Sequence, residues 1–298
     1  MTTDISATAA GYWQLGGDLP VTRMGFGTMR LPNWPFGPHT DPEQAIAVLR
    51  RAVELGVNHI DTAAFYAHEG MTANQLIRQA LHPYPEELVI VTKVGPLYGE
   101  AGAITGPMDE MREGLHPDEL RRAVEANLGD LGVDRLDMVN LRVGGRGGPS
   151  DEPVGPAFEA LAALREEGLI RHLGISNVAP DRLAEAQRIA PVASVQNMFN
   201  ISDRGDAHML DLATEQGVCY VPYFPLGGHN LIDNPVVAEV AARHGATVAQ
   251  ISLAWLLHRS PAILLIPGTS SIEHLEQNIA AAGLKLTEED LASLEQVN

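Results

Sequence analysis

The sequence predicts an α/β fold of the (β/α)8 TIM-barrel type, and three observations support this prediction. Short runs of β-branched residues alternate with amphipathic segments of helical period along the chain. The runs are mostly apolar throughout, as expected of parallel strands that are covered on both faces. No linker rich in Gly, Ser or Pro divides the 298 residues. We therefore expect one barrel domain over residues 1–298.

Eight runs are predicted as the barrel strands, in chain order: 22–27, 58–61, 89–93, 136–141, 171–176, 193–196, 218–221 and 262–266. The intervening segments carry helix start signals, such as Pro42 and Pro117 at first-turn positions and capping-box spacings that begin at Thr247 and Thr287. Residues 1–20 form an extension in which Gly16, Gly17 and Asp18 favour a hairpin turn. We expect this N-terminal hairpin to cap the bottom of the barrel.

A doubly wound open sheet is the alternative fold. It would need a Gly-x-Gly-x-x-Gly turn after the first strand to bind a dinucleotide. Gly25 and Gly27 begin such a pattern, but Arg30 stands where the third glycine belongs. The barrel is therefore the better prediction.

Composition excludes several classes of function. The net charge of −18 disfavours nucleic acid and anionic membrane surfaces as partners. No run of 18 apolar residues is present, and the N-terminus lacks the features of a signal peptide, so a cytoplasmic location is expected. With Cys219 as its single cysteine, the chain cannot form an internal disulfide.

Unexpected polar residues collect at the predicted carboxyl ends of the strands, where TIM barrels carry their chemistry. Asp61 ends the second strand, Lys93 the third and Arg142 follows the fourth. Lys93 is conspicuous because the chain has only one other lysine, Lys285. Each residue alone has an ordinary structural explanation, but their convergence on one rim predicts an active site there.

These strand-end segments resemble those of the aldo-keto reductase family. The segment 58–66 places Asp61 and Tyr66 five residues apart, as in the family signature, and 90–94 resembles the segment that carries its lysine. Further similarity lies in 174–177, 195–197, 223–227 and 266–271. The resemblance runs from about Thr22 to the C-terminus in the same order and implies an NADPH-dependent enzyme that reduces a carbonyl, although NADH is not excluded.

The resemblance implies that Tyr66 donates the proton to the carbonyl oxygen, while the nicotinamide supplies the hydride. A free phenol, with a pKa of roughly 10, is a weak acid at neutral pH. A neighbouring cation lowers that pKa, and Lys93 can act in this way if Asp61 anchors it and keeps it charged.

The chain departs from the family at the end of the fourth strand, where Arg142 stands in place of the usual histidine. This variant is similar to the branch that includes bacterial pyridoxal reductases. We expect Arg142 to donate hydrogen bonds to the substrate and to add a second cation near Tyr66, since arginine stays charged and cannot accept a proton. In the alternative, Arg142 pairs with a carboxylate such as Asp137 and has no chemical role.

The resemblance also implies a cofactor site across the rim. Ser176, Asn177 and Gln196 would hold the carboxamide, Tyr223 would stack on the nicotinamide, and the helix after strand eight would offer N–H groups to a phosphate. The expected cofactor-binding residues are Gly27, Thr28, Met29, Asp61, Ser176, Asn177, Gln196, Tyr223, Pro225, Leu226, Gly227, Gly268, Thr269, Ser270, Ser271, His274, Gln277 and Asn278. Gly268 and His274 stand where many relatives carry cations for the 2′-phosphate.

Substrate specificity on this fold lies in loops. Trp34, Phe65 and Tyr98 are expected to form an aromatic pocket for a flat ring aldehyde such as pyridoxal, with residues 98–117 and 144–148 as loops over the site. Two other functions are open at this point: a general carbonyl reductase of a biosynthetic pathway, and a cofactor-binding regulatory subunit with the same fold. The oligomeric state is not predicted.

Overall fold

The computed structural model describes residues 5–32, 40–68, 70–144, 150, 152–228 and 233–297. The strands are β1 Tyr12–Leu15, β2 Leu19–Thr22, β3 Phe26–Gly27, β4 His59–Asp61, β5 Ala67–His68, β6 Met71–Thr72, β7 Val89–Val94, β8 Pro96–Tyr98, β9 Met111–Glu113, β10 Leu136–Arg142, β11 Ile170–Ser176, β12 Val192–Gln196 and β13 Cys219–Tyr220. The α-helices are α1 Pro42–Glu54, α2 Ala73–Leu81, α3 Pro117–Leu131, α4 Gly155–Glu166, α5 Pro180–Gln187, α6 Ala207–Glu215, α7 Pro235–His244, α8 Val248–Arg259, α9 Ile272–Ala280 and α10 Glu288–Leu294. Short 3-10 turns span Ala7–Ala10, Met108–Glu110 and Ala281–Gly283.

Seven parallel strands form the curled sheet of a TIM barrel, in the order β3, β4, β7, β10, β11, β12 and β13. The two edges meet through the segment 263–265. Ile263 makes a parallel bridge to Tyr220 of β13, and Leu265 makes one to Met24 just before β3. The predicted (β/α)8 barrel is therefore confirmed, with closure through single bridges.

The first and last predicted strands differ most from the structure. Residues 262–266 form only the two isolated bridges, and of residues 22–27 only Phe26–Gly27 belongs to the barrel ladder, because Thr22 ends β2. The backbones approach very closely where these segments meet: a Cβ on Gly27 would lie 2.5 Å from the carbonyl oxygen of Ile266. A Cβ on Gly268 would clash with the carbonyl oxygen of Gly27. Close approach of the two backbones takes the place of a regular hydrogen-bonded ladder where these segments meet.

The N-terminal hairpin is present as predicted. Strands β1 and β2 pair antiparallel from Tyr12↔Thr22 to Leu15↔Leu19, with Gly16 and Gly17 in the turn at positive φ, where glycine is favoured. Leu15 and Leu19 pack in an apolar cluster with barrel residues such as Val89. The turn also bonds to the start of β11, since Asp18 accepts hydrogen bonds from Arg171 and contacts the ring of His172 at 2.6 Å. The hairpin thus closes the barrel at the amino ends of its strands.

The helices pack around the sheet in the predicted alternation, and α8 is buried on all sides from Ile251 to Leu256. The capping boxes at Thr247 and Thr287 are both formed, with Gln250 and Asp290 as the reciprocal partners. The polar ends of these helices are thereby satisfied at the surface, and their apolar faces complete one core with the outward faces of the strands. In the described ranges no helix has the length and apolar character needed to cross a membrane.

Candidate active site

A cavity of about 380 Å³ opens at the carboxyl ends of the barrel strands. It is lined by Gly27, Met29, Arg30, Asp61, Phe65, Tyr66, Lys93, Pro96, Met108, Met111, Arg142, Gly144, Ser176, Gln196, Met198, Tyr223, Phe224, Pro225, Leu226, Gly228, Ile266, Pro267 and Gly268. The residues predicted at the ends of all eight strands therefore meet around one space. Parallel strands make this possible because all their carboxyl ends lie on the same rim.

Asp61 and Lys93 form a buried ion pair at the base of this cavity. The Nζ of Lys93 donates to Oδ1 of Asp61 at 2.6 Å and to the carbonyl oxygen of Thr62 at 3.0 Å. The second carboxylate oxygen of Asp61 accepts from Nε2 of Gln196 at 2.8 Å. Both charged side chains are less than 5% exposed. The carboxylate is thus held from two sides and fixes the direction in which the ammonium lies.

The pair keeps Lys93 charged. Burial alone lowers the pKa of Lys93, but the negative charge of Asp61, assisted by Tyr66, raises that pKa above its ordinary value. A buried ammonium without such a partner would lose its proton readily. Lys93 therefore presents a permanent positive charge to the cavity at neutral pH.

Tyr66 lies directly beside this ammonium. The Nζ of Lys93 is 5.0 Å from the centroid of the Tyr66 ring, and Phe65 packs edge-on against the same ring at a centroid distance of 5.2 Å. Burial raises the pKa of Tyr66, and Lys93, with a smaller effect from Arg142, lowers it. The net direction is upward, so burial outweighs the effect that the sequence led us to expect from Lys93. The phenol is a fully protonated donor at neutral pH.

Arg142 ends β10 and lines the cavity. Its Nη1 donates to the carbonyl oxygen of Val143 at 2.5 Å, and its guanidinium carbon lies 5.9 Å from the centroid of the Tyr223 ring. Asp137, the alternative partner, accepts a hydrogen bond from the backbone N–H of Ile90 at 2.9 Å. The geometry thus turns the Arg142 guanidinium towards the aromatic wall of the cavity.

Part of the cavity wall contains polar atoms that are buried. The hydroxyl of Tyr223 donates to Oδ1 of Asn177 at 2.9 Å, and Asn177 adopts a left-handed backbone conformation with φ 62°. Such strain in a residue other than glycine is concentrated at functional sites. Ser176 Oγ and Gln196 Oε1 are buried and have no hydrogen-bond partner among the residues that the structure describes. Buried polar atoms without partners are rare in proteins, and these two border the cavity.

Some predicted cofactor residues lie outside the cavity lining. They are Thr28, Asn177, Gly227, Thr269, Ser270, Ser271, His274, Gln277 and Asn278. Thr28 is fully buried and donates from Oγ1 to the carbonyl oxygen of Asp61 at 3.1 Å. Ser271 caps α9, its Oγ accepting from the N–H of His274 at 3.3 Å. The amino end of α9 therefore follows Gly268 closely, and Gly268 itself borders the cavity.

The substrate-pocket residues predicted from the sequence have different positions. Phe65 lines the cavity, whereas Tyr98 is 2% exposed and packs behind it in a cluster with Ala63, Phe65 and Tyr66. Trp34 and the segment 145–149 lie outside the described residues. The segment 98–117 contains regular structure, because β8 and β9 pair as an antiparallel hairpin across it.

Sequence reasoning missed a group of methionines, Met108, Met111 and Met198, and also Arg30. Met198 and Arg30 follow strand ends and could have been found by the same rule that found Asp61 and Lys93. Met108 and Met111 lie in the long connection between β7 and α3, where no periodic pattern marks the residues that turn inward. Together with Met29, these three methionines give the cavity an apolar lining whose flexible, polarisable side chains can adapt to a ligand.

Comparison with known proteins places this arrangement in a family. The model of the Aldo/keto reductase family matches residues 23–234 and 229–298. The chain is 46% identical over 285 residues to pyridoxine 4-dehydrogenase of Escherichia coli, with 95% of this chain and 96% of that protein covered. It is 32% identical to probable aldo-keto reductase 1 of Glycine max, with 92% and 84% covered.

Solved structures support the same family assignment. The crystal structure of an aldo-keto reductase from Klebsiella pneumoniae in complex with NADPH superimposes with a TM-score of 0.76 at 31% identity, covering 96% of this chain and 94% of that one. The family model spans nearly the whole chain, and the E. coli relative is well above the identity at which family membership is secure. The chain is therefore an oxidoreductase that belongs to the aldo/keto reductase family.

Proposed function

We propose that this protein reduces an aldehyde or ketone to an alcohol with NADPH, and that Tyr66 is the general acid. The observation that carries this proposal is the placement of the Tyr66 phenol beside the Lys93 ammonium, which Asp61 holds at 2.6 Å, on one wall of the cavity. A protonated phenol next to a fixed cation can release its proton to a carbonyl oxygen, since the cation stabilises the phenolate that remains.

The polar wall fits a nicotinamide carboxamide. Ser176 Oγ can donate to the amide oxygen, and Gln196 Oε1 can accept from the amide N–H group, so each buried atom would gain its missing partner. Gln196 has a fixed orientation for this task because its Nε2 is committed to Asp61. When bound, the reduced nicotinamide supplies the hydride for the carbonyl carbon.

NADPH is the proposed cofactor in preference to NADH. The K. pneumoniae relative was crystallised with NADPH. In this chain the end of the cavity at Gly268 leads to the amino end of α9, where N–H groups of the first turn and the exposed His274 can contact phosphate oxygens. Comparable kcat/KM with NADH would contradict this preference.

The proposed substrate is pyridoxal or a similar aromatic aldehyde. Thioether and aromatic side chains contribute much of the apolar lining of the cavity, among them Met29, Phe65, Met111 and Met198. Such a wall packs well on a flat ring, because methionine sulfur makes favourable contacts with aromatic groups. The similarity to the E. coli pyridoxine 4-dehydrogenase supports this choice, because dehydrogenation of pyridoxine at its 4-hydroxymethyl group and reduction of pyridoxal are the two directions of one reaction.

We propose that Arg142 binds a substrate oxygen. It lines the cavity and contributes, with Lys93, to the positive charge near Tyr66. Pyridoxal carries a hydroxyl next to its aldehyde, and an arginine fork can bond two neighbouring oxygens at once. The guanidinium would then orient the carbonyl while Tyr66 protonates it.

The test is NADPH oxidation measured with the purified protein against pyridoxal, benzaldehyde, an aliphatic aldehyde and a ketone. We expect pyridoxal to give the highest kcat/KM, and Tyr66→Phe to lose about 10²-fold or more of kcat, the usual contribution of a positioned acid. Tyr12→Phe, at an exposed position on the hairpin, is the matched control and should match the wild type. Full turnover in Tyr66→Phe would refute the mechanism, and no turnover with any carbonyl would refute the activity.

A further inference from the structure

Four polar side chains form a continuous hydrogen-bond network behind the active site, on the side of the barrel wall that faces the helices. Thr62 donates from Oγ1 to Oδ1 of Asn74 at 2.8 Å, and Asn74 donates from Nδ2 to Oδ1 of Asn127 at 2.9 Å. Thr92 donates from Oγ1 to the same oxygen of Asn127 at 2.6 Å. All four side chains have zero exposure. We call this group the threonine–asparagine network.

The network joins the two strands that carry the buried ion pair to the helices outside them. Thr62 directly follows Asp61, and Thr92 directly precedes Lys93. Successive side chains of a strand point to opposite faces. Asp61 and Lys93 therefore face the cavity, while the threonines face α2, which carries Asn74, and α3, which carries Asn127.

Thr62 connects the network to the ammonium directly. Its carbonyl oxygen accepts from Nζ of Lys93 at 3.0 Å, and its N–H donates to the carbonyl oxygen of Val91 at 2.8 Å. The peptide groups on both sides of Thr62 are thus held, and one of them is a ligand of the charge beside Tyr66. Asn127 is fixed in turn by donating from Nδ2 to the carbonyl oxygen of Ala123 at 2.8 Å.

An apolar contact among these side chains would fill the same space, but it would not fix the relative orientation of the strands and helices that carry them. Valine has nearly the shape of threonine, and the surrounding core is apolar, so packing alone does not require hydroxyls here. Hydrogen bonds are directional, and a satisfied buried network selects one arrangement of the groups it joins. The network therefore specifies the relative position of two strand ends, beyond holding them together.

We infer that Thr62, Asn74, Thr92 and Asn127 are positioning residues that set the distance and direction of the Lys93 ammonium relative to the Tyr66 phenol. The inference rests on the proposed function, in which Tyr66 donates the proton. It assigns these residues no contact with substrate or cofactor. Their effect reaches the reaction through the acidity of Tyr66.

The sharpest test compares Thr92→Val with Thr92→Ser. Valine keeps the shape and removes the hydroxyl, whereas serine keeps the hydroxyl and removes a methyl group. We expect Thr92→Val to lower kcat about fivefold to tenfold and to raise the apparent pKa of the basic limb of the kcat profile, because the displaced cation lowers the pKa of Tyr66 less effectively. Thr92→Ser should restore both values towards the wild type. The affinity for NADPH, measured by fluorescence titration, should change less than about twofold in either variant, since Thr92 is fully buried, bonds to Asn127 and is assigned no contact with the cofactor.

Ser252→Ala provides a control for the loss of a buried hydroxyl elsewhere. Ser252 lies in α8 with zero exposure and donates to the carbonyl oxygen of Val248 at 2.8 Å. It should change the free energy of unfolding without moving the pH profile. If Thr92→Val does not fold, Thr62→Val with Thr62→Ser as its rescue variant makes the same comparison from the other strand.

The outcomes separate this inference from the proposed function. An active wild type whose pH profile is unchanged by the folded valine variants overturns the inference and leaves the proposed function intact. Equal effects of the valine and serine variants also overturn it, because volume would then be the cause. A wild type that reduces no carbonyl in the panel overturns the proposed function, and the inference with it.

Discussion

Asp61 and Lys93 form a buried ion pair in which each charge compensates the other. The carboxylate of Asp61 lies in the barrel with 2% of the residue exposed and neutralises a lysine that is almost as deeply buried. Removing one member of such a pair leaves the other charge without compensation in a medium of low polarity. Replacing one member of the pair should therefore lower the free energy of unfolding more than removing both charges does.

A double-mutant cycle tests this at the residue scale. We expect Asp61→Asn and Lys93→Met each to lower the free energy of unfolding by about 3 kcal/mol or more, as is typical when a buried pair is broken. The double variant should lose less than the sum of the two, since no unpaired charge remains. Urea unfolding at neutral pH provides the measurement. Lys285→Met, the change at the exposed second lysine, is the matched control; additive losses would contradict the coupling.

Arg142 offers a second prediction for a single residue. Histidine loses its charge as the pH rises, whereas arginine keeps it. We expect the pH–rate profile of Arg142→His to gain a dependence on pH between about 5.5 and 7.5, around the usual pKa of histidine, and the KM for pyridoxal to rise. Unchanged kcat, KM and acidic limb would show that Arg142 has no part in the reaction.

Pattern and chemistry at the strand ends predicted Asp61, Tyr66, Lys93 and Arg142 as neighbours, and the structure brings them to one cavity. Strand direction alone predicts that these residues lie close together, because the carboxyl ends of parallel strands share one rim of the barrel. Tyr98 was predicted to line the substrate pocket, but the structure packs it behind the lining, because the sequence of this connection has no periodicity that tells inside from outside. For the same reason the loop methionines Met108 and Met111 could not be predicted.

At the scale of secondary-structure elements, the structure differs most from the prediction at the barrel seam, where residues 22–27 meet residues 262–266. Hydrophobic pattern predicted regular strands at 22–27 and 262–266, yet the structure closes the barrel there with two parallel bridges. Gly27 and Gly268 allow the backbones to approach more closely than side chains would permit. A run of apolar residues shows that a segment is buried, but it does not show whether its neighbours leave room for a continuous ladder.

Alanine at this seam should be costly. We expect Gly268→Ala to lower the free energy of unfolding by about 1–3 kcal/mol, the range for overpacking, because its Cβ would collide with the carbonyl oxygen of Gly27. Denaturant unfolding measures the change. Gly129→Ala is the matched control: Gly129 lies in α3 with open space around its Cβ position, and alanine there should stabilise by about 0.5–1 kcal/mol. Equal effects at the two positions would contradict the assignment of a steric seam.

At the scale of the whole molecule, stability should depend on pH through His59. This ring is 1% exposed inside the barrel, and burial lowers its pKa to about 4, with Asp61 raising and Lys93 lowering that pKa to smaller extents. Histidine in an unfolded chain titrates near 6.5. The unfolded state therefore binds more protons between these values, so stability decreases as the pH falls from about 6.5 towards 4.

The expected size of this effect can be measured. Between pH 7 and 5 the free energy of unfolding should fall by about 2 kcal/mol on account of His59. His59→Gln should reduce that fall, since glutamine does not titrate, and the exposed His258→Gln is the control. Identical slopes for wild type and His59→Gln would show that the ring does not stay neutral in the folded protein.

The hairpin under the barrel has a kinetic consequence. Because β1 and β2 seal the amino ends of the strands, the carboxyl rim is the route by which molecules reach Tyr66. If cofactor and substrate both enter by this rim, they cannot bind and dissociate independently. The ligand that is bound deeper has to bind first and dissociate last. Steady-state kinetics should then follow a compulsory order of binding and release.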